Sequence, residues 1–494
     1  MNETRLKIHK KLLAFGRKIS DTHLSEFHNP KILDKKIIKT QLVNYDFSKQ
    51  KINNEAFEYL LQIPDLIELR HSLRKLLDGE IQNPSENKKV THTLYRDKNP
   101  KDKCELISNE REKIKLFLKK NSENQVYKNL ICLGIGGSRL GPQLLNEFLA
   151  LSGPIKVYFC SSYDLLELKG ILKNCKQSET ILFASSKSFE TSEILKNLEH
   201  AKSWFKKDQN INFQEHFFGI SSNQTAMFAN GIKESNQFRL LDSLGGRFSL
   251  WSSISLPALV NSDYQSYLEL LEGANLADEL TLNSQWKNNI AVIMALFSIW
   301  NTNSLNINNH GIFTYNFRLR SLTNYLAQLS MESNGKSLNF RSEISPFLTS
   351  PLIWGGYGIE CQHSTFQWMM QGKTHTACDF IGVNDQDNES MESQKILLSQ
   401  VLAMSFGKED VENPYKSVKG NNPCSILQLN QLNLKSLGFL LALYEHKIFV
   451  EALILGVDPF DQWGVQLGKN LLLSSNKDNK FLKNYFSSDI VPKA

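Results

Sequence analysis

Short apolar runs that end in small or polar residues recur through the middle of the chain. Residues 130–133, 157–160 and 181–184 are continuous apolar runs, and each leads into glycine or serine and then into helical spacing. Strands that are buried on both faces have such continuous runs, and their alternation with helices is typical of a parallel sheet. The pattern therefore predicts a parallel α/β sheet from about residue 125 onward.

A second α/β set follows a mostly helical stretch at about 262–310. Residues 352–354 run into Gly355 and Gly356, and residues 376–381 are a further strand candidate. A strand–glycine–helix unit in each half suggests a duplicated architecture. In the polar, lysine-rich first hundred residues, leucines at helical spacing between Leu60 and Leu73 predict a helical arm.

These patterns divide the chain into four expected parts. They are a helical N-terminal segment at 1–100 that packs on the second domain, a first α/β domain at 101–265, a second α/β domain at 266–475, and a C-terminal tail at 476–494.

Composition and charge narrow the class of protein. Of the 494 residues, 41 % are hydrophobic and 22 % are charged, which is typical of an ordinary globular protein. The net charge of +6 is carried by scattered lysines, so no nucleic-acid-binding surface is indicated, although an anionic substrate would suit it. The apolar segment at 290–300 is about half as long as a membrane span, and the run at 12–15 is too short for a secretory signal. We expect a cytosolic protein that does not cross a membrane.

The seven cysteines form neither a C-x-x-C pair nor a zinc-binding spacing. An odd, scattered set suits a reducing compartment, where most cysteines are small core residues. We therefore expect no metal site built from them.

A glycine-rich turn at 134–142, with the sequence GIGGSRLGP, follows a predicted strand and opens a helix. Glycines let the backbone approach an anion closely, and the first N–H groups of a helix supply donors. The turn is not a dinucleotide fingerprint, because Arg139 stands where the third glycine is required, and no Gly-Lys-Ser/Thr follows as in a P-loop. Taken alone it is weak evidence, since such turns are often glycine-rich for packing reasons.

A dense cluster of hydroxyl side chains lies at the next such junction, at 185–193, with the sequence SSKSFETSE. Helix capping would explain one hydroxyl. A cluster of this density suits the three oxygens of a phosphate monoester better, which predicts a phosphate site here.

Candidate acid–base groups lie in three further segments. Apolar residues at helical spacing from Leu319 to Leu329 predict a helix that stops near Gly335, and Gln328 and Glu332 share one face near its end. His363 precedes a predicted helix, where a lone histidine is more often structural. Local pattern alone would equally allow Glu332 to be a surface glutamate.

The last of these segments runs from 458 to 469. Asp458 and Pro459 read as an N-cap and a first helical residue, so Gln462, Gln466 and Lys469 would lie along one helix face. An exposed helical lysine is the ordinary alternative. Separately, Arg247 stands beside two glycines in the sequence GGRFSLWS at 245–252, and a guanidinium can stabilise a developing negative charge.

Together these segments closely resemble the signature segments of the phosphoglucose isomerase family. The sequence MESNGK at 331–336 matches the family's M-E-S-N-G-K, and FDQWGVQLGK at 460–469 matches F-D-Q-W-G-V-[EQ]-x-G-K. The hydroxyl cluster resembles S-K-T-F-T-T-x-E-T, and residues 358–366 resemble G-T-N-G-Q-H-[AS]-F. The resemblance covers most of the chain from about 83 to 475.

The resemblance implies a fold and a reaction. The fold would be α/β, with two three-layer αβα sugar-isomerase (SIS-type) domains of mainly parallel sheets, a helical N-terminal arm and a C-terminal helix. The reaction would interconvert D-glucose 6-phosphate and D-fructose 6-phosphate through ring opening and a cis-enediol, as in glycolysis and gluconeogenesis. It would need neither a metal nor a nucleotide cofactor.

The resemblance also implies roles for particular residues. Glu332 would be the base that moves the proton between C1 and C2, Arg247 would stabilise the enediolate, and Lys469 and His363 would open the sugar ring. His363 would come from the neighbouring subunit, which makes a homodimer necessary for activity. The remaining implied substrate-binding residues are Gly137, Ser138, Ser186, Lys187, Ser188 and Thr191 around the phosphate, Glu193 near the active-site lysine, and Gln328 and Gln462.

Some positions depart from the family pattern. Lys88 stands where the family has an arginine, so bidentate contacts would be lost there, and residues 359–361 replace T-N-G before His363. We expect Glu445 and His446, in another matching segment, to be structural.

Two alternatives were weighed against an isomerase. A glutamine-dependent glucosamine-6-phosphate-forming enzyme would need an N-terminal cysteine, whereas the first cysteine is Cys104. A sugar-phosphate sensor without turnover would have no need of Glu332, His363 and Lys469 together.

Overall fold

A computed structural model describes residues 2–29, 36–124, 126–149, 153–385 and 387–468. Its strands are β1 Ile37–Lys39, β2 Val43–Lys49, β3 Gln82–Asn83, β4 Lys88–Lys89, β5 Asn129–Gly134, β6 Lys156–Cys160, β7 Thr180–Ser185, β8 Phe217–Ser221, β9 Gln237–Arg239, β10 Asn309–Thr314, β11 Leu352–Tyr357, β12 Ala377–Val383 and β13 Cys424–Leu429. Its helices are α1 Asn2–Ile19, α2 Asn54–Leu60, α3 Ile63–Leu66, α4 Leu69–Leu77, α5 Pro100–Lys103, α6 Glu105–Asn124, α7 Gly137–Leu149, α8 Leu166–Leu172, α9 Ser192–Phe205, α10 Phe213–His216, α11 Gln224–Ala229, α12 Leu256–Leu259, α13 Tyr264–Asn283, α14 Ile290–Asn303, α15 Leu322–Asn334, α16 Gly358–Gln362, α17 Phe366–Gln371, α18 Asn388–Phe406 and α19 Leu434–Leu455.

The first sheet is five-stranded and parallel, with the strand order β6-β5-β7-β8-β9. Strands β5 and β7 are buried throughout, as their continuous apolar runs predicted. The chain leaves β5 towards β6 on one side and leaves β7 towards β8 on the other. Adjacent parallel strands with diverging connections open a crevice at their carboxyl ends, which is where α/β proteins bind ligands.

The second sheet is six-stranded, with the order β1-β2-β13-β12-β10-β11. Its four strands β13, β12, β10 and β11 are parallel, and β1 and β2 add an antiparallel edge. The predicted α/β class with mainly parallel sheets is confirmed. The division at 101–265 and 266–475 stays a proposal, and the predicted tail at 476–494 lies outside the described residues.

The first hundred residues contribute strands as well as helices. Helices α2 and α4 carry the predicted leucines, but β1 and β2 join the second sheet, which the expectation of a purely helical segment left out. In β2 the side chain of Tyr45 is buried in the core, with Oη 3.0 Å from Ser425 Oγ. Along this strand Val43, Tyr45 and Phe47 alternate with polar residues, a strand signal that the prediction from continuous apolar runs did not use.

Two long helices fill the core beside the sheets. Every residue of α14 is buried, and nearly every residue of α19 is, so both are apolar on all sides. No helix in the described ranges is long and apolar enough to cross a membrane.

A buried charged cluster ties helices α13 and α19 to the turn at His92–Arg96. Arg96 donates to both oxygens of Asp278 at 2.7 and 2.8 Å and also to Glu445, and His446 contacts Asp278 at 2.6 Å. Burial raises the pKa of Glu445 to about 7, against the opposing effect of Arg96. These contacts give Glu445 and His446 structural partners.

Candidate active site

The glycine turn and the hydroxyl cluster lie side by side. Gly134, which ends β5, pairs with Ser185, which ends the neighbouring β7. Both segments therefore lie at the crevice where the connections diverge. Gly136 has a φ of +56°, and a Cβ on Gly137 would come within 2.0 Å of the carbonyl oxygen of Gly246. The turn needs glycine at both positions because of the left-handed backbone and the close approach of a second segment.

The hydroxyls of the cluster do not cap helix α9. Thr191 occupies the N-cap position without a capping hydrogen bond from its side chain, and its hydroxyl lies 3.0 Å from that of Ser186. Ser188 Oγ accepts from the amide of Glu190 at 3.3 Å, and the buried Phe189 has a φ of +55°. A bulky residue in that conformation is strained and persists where the surroundings fix it. The capping alternative is therefore disfavoured, and the loop holds its hydroxyls for another use.

The loop backbone is fixed from behind by the next strand. Ser221 and Ser222 donate their hydroxyls to the carbonyl of Lys187 at 2.8 and 2.9 Å. The side chain of Lys187 lines a small cavity together with Lys88 and Asp242, which form an ion pair at 2.9 Å. Burial, and then the charge of Lys88, lower the pKa of Lys187.

Arg247 is the most heavily bonded side chain of the site. It is 3 % exposed, and Nε donates to Ser333 Oγ at 2.7 Å. Nη1 donates to Glu332 at 3.4 Å and to Gln462 Oε1 at 3.0 Å, while Nη2 donates to the carbonyls of Pro459 and Asp461. A guanidinium has five N–H donors, so all five are used. Burial lowers the pKa of Arg247, and Glu332 opposes that shift.

Helix α15 delivers Gln328 and Glu332 as the spacing predicted, and Gly335 is its C-cap. A Cβ on Gly136 would lie 3.0 Å from Nε2 of Gln328, so this side chain touches the glycine turn. One helical turn later, the half-buried Glu332 faces Arg247. A single helix face therefore connects the glycine turn, and with it the hydroxyl cluster on the adjacent strand, to the carboxylate.

A cavity of about 720 Å³ opens beside Glu332. Gln462, Lys336, Asp458 and Asp461 provide its polar wall. The lining also includes the apolar side chains of Leu338, Phe340, Trp463 and Val465. Burial raises the pKa of Asp458 to about 6, and Oδ2 of this residue has no hydrogen-bond partner among the described residues. The cavity is large enough for a sugar phosphate, and its lining includes the carboxylate of Glu332, which the buried guanidinium of Arg247 contacts from behind.

A family model described as phosphoglucose isomerase matches residues 46–489. The chain belongs to the phosphoglucose isomerase family. Glucose-6-phosphate isomerase of Hydrogenovibrio crunogenus is 35 % identical over 488 residues, which cover 90 % of each chain. That of Pseudoalteromonas translucida is 36 % identical over 469 residues, covering 86 % of this chain and 85 % of the relative. A crystal structure of a glucose-6-phosphate isomerase from Chlamydia trachomatis has a TM-score of 0.89 and 27 % identity, covering 96 % of this chain and 97 % of that one.

The segment that carries the last signature of the phosphoglucose isomerase family differs from the sequence expectation. Asp458 and Pro459 do not begin a helix; a short 3-10 turn at Trp463–Val465 begins later. The carbonyls of residues 458, 459 and 461 bond Lys336 and Arg247 instead of helical amides. The N-cap prediction is wrong because distant cations take the carbonyls that a helix would have used. Lys469 lies outside the described residues.

Other residues expected from the phosphoglucose isomerase family lie as follows. His363 is exposed at the end of α16 and shortly before α17, the helix that the sequence predicted after it. It does not line the cavity beside Glu332 in the described chain. Ser138 lies in the first turn of α7, beside Gly137. Glu193 lies in the first turn of α9 and accepts a hydrogen bond from Ser192 at 3.0 Å.

Three residues of the site were missed from the sequence. Lys336 pairs with Asp461 at 2.9 Å, and Ser85 donates to the other oxygen of that carboxylate. All three lie inside segments that match phosphoglucose isomerase motifs, which was the available signal. The contacts themselves join positions far apart along the chain and leave no local pattern.

Proposed function

We propose that this chain catalyses the reversible isomerisation of D-glucose 6-phosphate and D-fructose 6-phosphate through ring opening and a cis-enediol. The family and the relatives named glucose-6-phosphate isomerase support this reaction. The observation that carries it is the carboxylate of Glu332 at a cavity edge, paired with the buried Arg247. The same helix reaches the glycine turn through Gln328. The reaction belongs to glycolysis and gluconeogenesis, and we propose a cytoplasmic location.

The phosphate end of the sugar is bound at the crevice between β5 and β7. Hydroxyls of Ser186, Ser188 and Thr191 and the backbone around Gly137 and Ser138 supply neutral donors. The hydroxyls of Ser186 and Thr191, already 3.0 Å apart, converge on one point. Binding energy from this remote group holds C1 and C2 against the base.

Proton transfer is carried by Glu332. Its carboxylate takes the proton from C2 and returns it to C1, while a proton passes from O2 to O1. C1 is reduced as C2 is oxidised, so no external oxidant, reductant or cofactor is consumed. Charge develops on the enediolate oxygens, and the fixed guanidinium of Arg247 stabilises it without a change of protonation. Gln462, bonded to the same Nη1 atom, borders the same space.

Ring opening is assigned to His363 and Lys469, and the active unit to a homodimer. His363 is exposed and lies apart from the cavity lining of its own chain, which is the arrangement required if it completes the site of a second copy. Glu193 is proposed to steady the active-site lysine. The open side of the cavity leaves room for both groups to approach the sugar.

A coupled assay tests the reaction. Purified protein is added to fructose 6-phosphate with glucose-6-phosphate dehydrogenase and NADP, and NADPH is followed by absorbance. We expect steady NADPH production that depends on the protein. A folded protein that binds fructose 6-phosphate but produces no NADPH would instead be a sugar-phosphate sensor.

A further inference from the structure

Lys336 makes contacts that the proposed reaction does not use. Its ammonium is mostly buried and has three acceptors: the carbonyl of Ser333 at 2.8 Å, the carbonyl of Asp458, and Oδ1 of Asp461 at 2.9 Å. An ammonium has three N–H donors, so each has a partner. We call this set of contacts the Lys336 clamp.

The clamp joins two segments that are distant in sequence. Ser333 lies in the last turn of α15, where carbonyls have no helical partner and favour a cation. Asp458 and Asp461 belong to the segment at 457–463, which carries Gln462. The ammonium of Lys336 thus bonds a carbonyl at the end of the helix that bears Glu332. The same ammonium also holds the facing segment at 457–463.

The held segment in turn fixes Arg247. The carbonyl of Asp461 accepts from Nη2 of Arg247 at 3.0 Å, and the other Asp461 side-chain oxygen accepts from Ser85. Trp463 donates to Ser85 at 3.0 Å, which ties in the following 3-10 turn. Burial lowers the pKa of Lys336, and the hydrogen bond that Lys336 donates to Asp461 opposes that shift. Removal of the ammonium would leave the Asp461 carboxylate buried without its charge partner.

We propose that Lys336 is a positioning residue that sets where Glu332, Arg247 and Gln462 stand relative to one another. The proposal rests on the proposed isomerase function of the same site. Lys336 acts through Asp461 rather than on the sugar. Its loss therefore affects turnover more than binding, because the phosphate is bound at the separate crevice between β5 and β7.

The kinetic test compares Lys336→Met, Lys336→Arg and Asp461→Asn in the coupled assay. We expect Lys336→Met to lower kcat by about 10- to 100-fold, since small misplacements of reacting groups cost that much. KM for fructose 6-phosphate should change by less than about threefold. Lys336→Arg keeps the charge and should recover most of kcat.

A double variant shows whether Lys336 acts through Asp461 or whether the two residues act independently. If Lys336 acts through Asp461, the Lys336→Met/Asp461→Asn variant should be no slower than the slower single variant. Lys435→Met is the matched control, because Lys435 pairs with Glu272 at 2.6 Å on the surface. Its kcat and KM should equal those of the unaltered protein.

Hydrogen–deuterium exchange gives a readout that does not need turnover. We expect faster exchange of the peptide that spans 457–463 in Lys336→Met and in Asp461→Asn, but not in Lys435→Met. If the unaltered protein does not isomerise the sugar, the proposed function fails while this measurement still tests the clamp. Unchanged kcat together with unchanged exchange in a folded Lys336→Met protein, or additive losses in the double variant, would overturn the proposal. If Lys336→Met does not fold, Asp461→Asn applies the same criteria from the other side of the contact.

Discussion

Glu332 stands where the last turn of α15 meets the guanidinium of Arg247. Helical spacing predicted both the helix and the shared face of Gln328 and Glu332, because such spacing is a local property of the chain. The partners of Arg247 were not predictable from the sequence. They include two carbonyls more than two hundred positions away, and backbone acceptors carry no sequence signal.

Glu332→Gln tests whether Glu332 is the base that moves the proton. Glutamine keeps an acceptor for Nη1 of Arg247 but cannot take a proton from carbon, so kcat should fall by about 10²- to 10⁴-fold. KM should stay within about threefold of its original value. The coupled assay measures both, with the exposed Glu392→Gln on α18 as a control. Substantial turnover by a folded Glu332→Gln protein would contradict the assignment.

Asp458 gives the site a pH-dependent contribution to stability. Burial raises its pKa from 3.8 to about 6, with Asp461 acting in the same direction and Lys336 and Arg247 against it. Between about pH 4 and pH 6 the unfolded chain loses this proton while the folded chain keeps it. The stabilising contribution is therefore complete below the unfolded pKa and is lost as pH rises through the folded one.

Asp458→Asn removes that titration. The free energy of unfolding of the unaltered protein, relative to the variant, should fall between pH 4 and pH 6 by at most about 3 kcal/mol, the equivalent of the pKa shift from 3.8 to about 6. Urea denaturation of both proteins at several pH values measures the difference. A difference that stays constant over this range would show that Asp458 titrates normally.

Among the elements, the loop between β7 and α9 carries the proposed phosphate site. Its density of hydroxyls was visible in the sequence, but only the structure shows that Thr191 pairs with Ser186 instead of capping α9. The strands β1 and β2 were missed for a different reason. The strand β1 is only three residues long, and β2 has no continuous apolar run. In β2 the apolar Val43, Tyr45 and Phe47 alternate with polar residues, a signal that a prediction based on continuous runs did not use.

Thr191→Val and Ser186→Ala test the phosphate role of this loop. Each removes one donor to a charged group, a loss of about 1.5–3 kcal/mol, and should lower kcat/KM for fructose 6-phosphate by about 10- to 100-fold, mainly through KM. Ser192→Ala is the matched control, because this neighbouring hydroxyl bonds Glu193 instead. Equal effects from all three changes would argue against a phosphate site at Ser186 and Thr191.

For the whole molecule, the sheets and the family were predictable from the sequence, but the long-range packing was not. Apolar runs predicted parallel sheets in each half, and the motifs indicated the family. The approach of α15 to the glycine turn depends on the packing of the two halves against each other, and the approach of Gly246 to Gly137 joins distant segments of the first half. Such contacts arise from the summed burial of many residues and have no counterpart in local spacing.

A shared active site would be visible in mixed dimers. Glu332→Gln and His363→Gln should each be nearly inactive alone. If His363 serves the partner's site, unfolding the two variants together and refolding them at equal amounts should restore about a quarter of the original activity. Half of the dimers would then be mixed, and each would have one intact site of two. No recovery from refolded dimers would assign His363 to its own chain.

The fully bonded guanidinium of Arg247 has a consequence for which molecules are accepted. Every N–H donor of Arg247 already has a protein acceptor. An incoming sugar can therefore bind the guanidinium only if one of its oxygens replaces an oxygen of Glu332 or Gln462. A deoxy analogue that lacks an oxygen at that point cannot make the exchange and meets a guanidinium still satisfied by the protein. In the proposed site, Arg247 would therefore discriminate between sugars through the protein contacts that it must exchange, as well as through its charge.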